Sequence, residues 1–408
     1  MQKYGRLKLA CYTTNVTMAV VANMPPILFL TFRNLYGISY SLLGLLVTIG
    51  FVTQLGIDLI FSFFSHKFNI PLTVKLTPLI AAVGLLIYAA APILFPGSIY
   101  TGLVIGTFIF SFSGGLAEVL ISPVIAAIPS KDPDREISKL HSVYAWGVVP
   151  VIIISTIFLL VFGSKNWQIL SVLFSIVPFF GFLLFTKAEI PPMETPERVS
   201  SAVSFLKNKT LLLCVMGIFF GGAAECTMSQ WSSGYIEKAL NIPKVWGDIF
   251  GVALFGVMLG LGRTLYAKKG KNITKVMIIG SLGAALCYGS AALVNNPVIG
   301  LIACAFTGLC TSMLWPGSLV AASDRFPSGG VFIFALMAAG GDLGASVGPQ
   351  LIGVVTDALI KNPAAVNFAQ TLNLTPEQFG MKTGMLIAML FPIMAFFVFT
   401  RLNKKKPK

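Results

Sequence analysis

Residues 188–207 read AEIPPMETPERVSSAVSFLK. Proline and glutamate crowd the stretch, and nothing in it is apolar enough to sit in hydrocarbon. Apart from the loop around 361–378, it is the only long polar interruption in the chain. A membrane-crossing helix needs about 20 mostly apolar residues. Reading outward in windows of that length gives six segments on each side. Those before it are 8–33, 40–65, 72–94, 98–128, 137–162 and 167–187. Those after it are 209–236, 245–267, 273–294, 297–323, 330–358 and 378–401. They are spans 1 to 12 below. The predicted fold class is an all-α membrane protein of twelve transmembrane helices in two pseudo-symmetric six-helix bundles. Residues 1–187 form the first bundle, 188–207 a cytoplasmic linker and 208–408 the second bundle.

Composition agrees with this reading. Of 408 residues, 56% are hydrophobic and 11% charged. Soluble domains carry about 25% charged residues, so a soluble enzyme, a disordered chain and a nucleic-acid-binding module are excluded. The formal net charge of +14 is explained by where the bases fall. Of 29 Lys and Arg, only Arg33, Lys165, Lys238, Lys244, Lys361 and Lys382 lie on the side opposite the N-terminus. The excess on the N-terminal side places both termini in the cytoplasm, in a plasma (inner) membrane with lipid as a partner. The tail Lys404-Lys405-Lys406 reads as an anchor at that surface. The first apolar segment lacks a cleavage signature and is expected to remain as a span.

The six cysteines all lie in apolar stretches, with no CxxC or Cys/His spacing, and read as reduced hydrophobes. His66 and His141 are the only histidines. No metal site, cofactor or catalytic constellation follows, so an enzyme is not expected. A channel is not expected either, since no filter-like loop is present. Pro25-Pro26 should kink span 1.

The halves repeat weakly. Pro123 in span 4 and Pro316 in span 10 are each followed by small residues and a charged turn, Ser130-Lys131-Asp132 and Ser323-Asp324-Arg325. Internal repeats of this kind mark transporters built from two similar bundles. Twelve spans in 6+6 halves around a short central loop resemble the major facilitator superfamily. The loop after span 2 carries a degenerate form of that family's motif, with Lys67 kept, His66 at the acidic position and Asn69 at the second glycine. A narrower resemblance is to the fucose–galactose–glucose:proton symporter branch and related bacterial sugar-porter-like proteins. It rests on Gly115-x-x-Glu118-x-x-x-x-Pro123, Leu140-His141-x-x-Tyr144-x-x-Gly147, Ala224-Glu225-x-x-x-x-Gln230-Trp231, Trp315-Pro316 and Gly341-Asp342-x-Gly344-x-x-x-Gly348-Pro349. That branch has an acid in span 1 where this chain has Pro26, while a nearby asparagine of the branch matches Asn23.

Ionisable groups inside a membrane are expensive and mark function. The intramembrane acids are Asp58, Glu118, Glu225 and Asp342. No Lys or Arg falls in the middle of a span, and Arg263 is near a span end. A phosphate ester or dicarboxylate needs cations to replace its hydration, so the cargo should be neutral or cationic. The resemblance implies that spans 1, 4, 7 and 10 line the cavity. Asn23, Glu118, Glu225, Gln230, Trp231 and Trp315 are then the candidate substrate-binding residues. Carboxylates and amides suit hydroxyls, and aromatic faces suit C–H-rich rings, as in a sugar.

Glu118 and Glu225 are the candidate ion-coupling acids, with protons as the expected ion and sodium as the alternative. Gln54, one turn from Asp58 on the same face, joins Asp58 and Asp342 as candidate gating residues. For each acid the competing reading is a structural bond to a neighbouring helix. The spacing of Glu225, Gln230 and Trp231 does not put all three on one face unless span 7 unwinds. The expected function is a secondary active transporter of a small neutral solute by alternating access, working as a monomer. The alternatives are a proton-linked exporter of lipophilic or cationic compounds, and a transport-dead sensor.

Overall fold

The computed structural model describes residues 4–64, 67–129, 133–191, 208–269, 272–294, 296–326 and 330–404. Most of the linker 188–207, His66 of the loop motif, the turn 130–132 and the last four residues lie outside the described residues. Every regular element among those described is helical. Eleven of these elements are long and apolar enough to cross a membrane. The pair Gly5–Ile27 and Phe29–Tyr36, bent by 43°, makes a twelfth when counted as one span. The bend falls just past Pro25-Pro26, which lie inside the helix and lack the N–H groups that would tie them to the preceding turn.

Spans 2 to 7 are Tyr40–Phe64, Ile70–Ala89, Ile99–Ala126, Pro133–Phe162, Trp167–Thr186 and Lys209–Lys238. Asn69 caps span 3, accepting from the Leu72 amide, and Asn208 caps span 7 through the Thr210 and Leu211 amides. Span 8 runs from Lys244 through a π turn, Asp248–Ala253, into Leu254–Lys269. Span 9 is Ile273–Leu293 and span 11 is Gly330–Lys361. Span 10 is interrupted between Pro297–Thr311 and Leu314–Arg325, and span 12 between Pro376–Ala388 and Leu390–Lys404.

The chain divides into two compact units. The first is Met1–Thr31 with Ile49–Val199, and the second is Phe32–Thr48 with Ser200–Lys408. The first packs around Leu7, Cys11, Ile57, Phe61, Leu116, Val124 and Phe185, drawn from spans 1, 2, 4 and 6. The second packs around Leu211, Ile218, Met277, Leu314, Met337 and Phe399, drawn from spans 7, 9, 10, 11 and 12. Large apolar side chains are also left bare, among them Ile93 at 81% exposure and Ile279 at 71%. Lipid tails are the solvent that suits such faces. All six cysteines are free.

In the first unit, Glu136 sits in the polar first turn of Pro133–Phe162, ahead of its membrane-crossing part Ser142–Phe162, and takes Lys8 at 2.7 Å and Lys139 at 2.9 Å. Hydrogen bonds from Lys8 and then Lys139 hold its carboxyl at about 2, below the ordinary 4.5. A depressed carboxyl contributes stability above its unfolded value and loses it as pH falls through its folded value. Glu136→Gln should therefore lower the melting temperature at pH 7. The gap from the parent should close as pH falls from 4.5 toward 2, read by thermal unfolding in detergent.

Candidate functional site

In the first unit, the site is built where span 2 meets span 4. Gly114 and Gly115 let the helices approach: a Cβ at Gly115 would stand 2.9 Å from the Ile57 Cβ and 3.1 Å from the Gln54 Cα. The Gln54 carboxamide lies over Gly114, 3.5 Å from where a Cβ would be. One turn further along span 2 is Asp58, only 3% exposed. This close approach brings carboxylate oxygens of Asp58 and Glu118 within 4.8 Å of each other. Two charged carboxylates at that distance repel, and a shared proton or a hard cation between them relieves the repulsion. Asn23, two residues before Pro25, is half-buried and donates to the Ala19 carbonyl at 2.9 Å.

In the second unit, Glu225 of span 7 meets Arg263 of span 8, with Arg263 Nη2 3.1 Å from Glu225 Oε1. Arg263 Nε donates to the Ser312 carbonyl, 3.2 Å away in the break of span 10. The expectation that no base reaches mid-span therefore fails at Arg263. Its Cα is near a helix end, but its long side chain extends to the middle of span 7. Next to Glu225, the Ala224 carbonyl accepts from Tyr288 Oη of span 9 at 2.7 Å. Tyr235 Oη returns a bond to Ala291 at 2.6 Å, so spans 7 and 9 are stitched twice.

Span 7 is a continuous helix, so Glu225 and Trp231, six residues apart, stay on different faces. Trp231 is 1% exposed, donates from Nε1 to the Pro349 carbonyl at 2.8 Å, and packs 5.9 Å from the Tyr40 ring. Gln230 is buried beside it. Trp315 is wedged between spans 7 and 11, against Gly222 and Gly341, where added Cβ atoms would meet its ring at 2.9 and 2.5 Å. Asp342 follows Gly341 in span 11 and is 2% exposed. The structure thus unites Asp58 with Glu118, with Gln54 one turn away. It gives Glu225 a cation and spends the rings of Trp231 and Trp315 largely on packing.

The sequence reading missed a second cluster. Asp357 in span 11 accepts from the backbone N–H of Tyr40 at 3.2 Å and of Ser41 at 2.7 Å, capping the first turn of span 2. Arg33 lies 3.9 Å over the Tyr40 ring and pairs with Glu377 at 2.9 Å. The available signal was one acid, Asp357, in an otherwise apolar run before Lys361. Asp357→Ala should speed amide exchange at Tyr40 and Ser41 by about fivefold or more, the loss of a cap of roughly 1 kcal/mol or more. Asp357→Asn, which keeps one acceptor, should do less. Exchange in span 7 should not change.

The sequence profile of the Major Facilitator Superfamily matches residues 10–349. The chain belongs to that superfamily: it is an integral membrane transporter and not an enzyme. Among curated proteins, no sequence matches it significantly. Many solved structures share the fold, and three of them serve as examples. The first is a bacterial homolog of the human lysosomal transporter Spinster in an inward-facing, occupied conformation. It has TM-score 0.77 and 14% identity, covering 99% of this chain and 97% of that one. The second is the D-xylose–proton symporter, with TM-score 0.75 and 15% identity over 96% of this chain and 97% of that one. The third is the transporter FucP in its outward conformation, with TM-score 0.65 and 15% identity over 98% of this chain and 99% of that one. At such identities the likeness carries the fold and leaves the cargo open.

Proposed function

We propose that this transporter is a secondary active carrier of a small neutral solute, a sugar being the favoured class. It works by alternating access and is coupled to protons through Glu118 with Asp58 beside it. The observation that carries this reading is the Asp58–Glu118 pair, two carboxylates within 4.8 Å, Asp58 buried and Glu118 half-buried. Such a pair can take up and release a single positive charge, which is what coupling requires. Asn23 in the first unit and Glu225 in the second are the proposed polar contacts for cargo; Gln230, five residues on along a continuous helix, is turned away from Glu225. Trp315, half-buried, is the proposed aromatic face.

Arg263 bears on the alternatives. Its pairing with Glu225 removes one of the two anionic anchors a cation exporter would use. Because Arg263 is already bound to Glu225 and Ser312, it is also poorly placed to clamp a phosphate or a dicarboxylate. Both points favour a neutral cargo. One structural neighbour is a D-xylose–proton symporter, in keeping with this choice. Both termini are proposed to be cytoplasmic, and the carrier to be monomeric in a plasma membrane.

The test is uptake in proteoliposomes under an inward proton gradient, with radiolabelled neutral sugars and one lipophilic cation. Gradient-driven sugar accumulation supports the reading. Proton-linked movement of the cation without sugar would replace it with export. Accumulation only under a sodium gradient would keep the carrier and change the ion.

A further inference from the structure

Span 10 is broken where span 4, its counterpart in the repeat, is not. Both carry a proline at matching places, Pro123 and Pro316, yet Ile99–Ala126 runs through Pro123 without interruption. Span 10 stops at Thr311 and restarts at Leu314. In a continuous helix, the amide of residue 316 would donate to the Ser312 carbonyl. Proline has no amide hydrogen to give. The donor that meets this carbonyl is Arg263 Nε from span 8, at 3.2 Å. Span 8 is pressed against the break at the same point, since a Cβ on Gly262 would stand 2.7 Å from the Ser312 Cβ. The other arm of the same guanidinium holds Glu225 at 3.1 Å. Guanidinium is a rigid planar fork, so its two contacts cannot reorient independently.

We propose that Arg263 is a positioning residue that ties the Glu225 carboxylate to the break in span 10, so that engagement of Glu225 changes the geometry at Ser312. Arg263 stands in for the amide that Pro316 lacks. A hydroxyl or proton arriving on Glu225 weakens one arm of the fork, and the planar group turns and carries its second arm off the Ser312 carbonyl. The break then becomes a hinge that reports on the occupancy of Glu225. The functional half of this inference rests on the reading of Glu225 as a cargo contact. The link from Arg263 to the break does not.

The test is hydrogen exchange on cargo-free, full-length protein in nanodiscs, followed at the amides of 312–320. Arg263→Gln should speed exchange there by about tenfold, the loss of one charge-assisted hydrogen bond of about 1.4 kcal/mol. Arg263→Lys, which keeps the charge without the fork, should resemble Arg263→Gln. Pro316→Ala restores the missing amide and should return the Arg263→Gln protein to near the parent rate. Glu225→Gln should give a smaller rise than Arg263→Gln. A parent-like rate in Arg263→Gln, or a rise that Pro316→Ala does not reverse, would overturn the proposal, since a merely stabilising arginine is not rescued by an amide at 316. Sugar uptake by Glu225→Gln tests the cargo reading separately. Unchanged uptake would sink that reading and leave the exchange result standing.

Discussion

Glu118→Gln should abolish proton-driven accumulation of cargo, by about 100-fold or more, while exchange of cargo across the membrane persists. The substitution keeps the size of the side chain and its hydrogen-bonding oxygen. It fixes the group as neutral, so the side chain can neither bind nor release a proton. The expected loss is large because accumulation requires the charge on the carrier to change between the two faces. Exchange requires only that the loaded carrier reorient. The neighbouring Asp58 makes the prediction sharper. With carboxylate oxygens of Asp58 and Glu118 within 4.8 Å, a charge on one raises the cost of a charge on the other. Asp58→Asn removes the repulsion but leaves Glu118 to titrate, so accumulation should be weakened and not abolished. Equal loss in both variants would mean that the pair is the coupling unit and neither acid alone is. Full accumulation in Glu118→Gln would show that the coupling charge moves elsewhere. The measurement is the steady-state accumulation ratio in proteoliposomes, with counterflow as the exchange control.

The helices of this protein were legible because hydrocarbon imposes a length on them, and runs of about 20 apolar residues show without any knowledge of contacts. The kink at Pro25-Pro26 was legible for a similar reason: a missing amide is a local property. Asp58 and Glu118 could each be picked out as acids inside spans. Their meeting could not, because 60 residues separate them and the glycines at 114 and 115 that bring their helices together are only informative once the partner is known. Arg263 is hard to read from sequence because its Cα is near a helix end, while its long side chain delivers the charge several ångströms away. Trp231 shows the opposite failure. Its place on a candidate lining span said nothing of its rotation, and the helix turns it toward Pro349. Asp357 was overlooked because an acid near a helix end reads as an exposed one, and its actual partners are backbone amides of another span.

Gly344→Leu should prevent the second unit from folding. Spans 7 and 11 have little hydrophobic drive to associate, because lipid tails are as apolar as their side chains. Close packing must hold them, and small residues make it possible. Gly340, Gly344 and Gly348 recur every four residues along the face of span 11 that meets span 7. A Cβ at Gly340 would stand 2.9 Å from Val215, and one at Gly348 2.9 Å from the Ala223 carbonyl oxygen. At Gly344 the obstruction is backbone: an added Cβ would fall on the Phe219 carbonyl oxygen and 3.1 Å from the Ala223 nitrogen. Side chains can rotate away from an intruder, but the backbone of a continuous helix cannot. Overpacking a core usually costs about 1–3 kcal/mol, and a leucine here should lie at or beyond the top of that range. The two helices would have to separate. Trp231 would then lose its bond to Pro349, one residue past Gly348, and Trp315 its seat against Gly222 and Gly341. Gly344→Ala should be milder but still destabilising. The control is Gly260→Ala in span 8, where an added Cβ meets nothing within 4 Å and should leave stability unchanged or slightly improved. Monodispersity and melting temperature in detergent read all three. A well-folded Gly344→Leu protein would mean that spans 7 and 11 are not in backbone contact at this glycine.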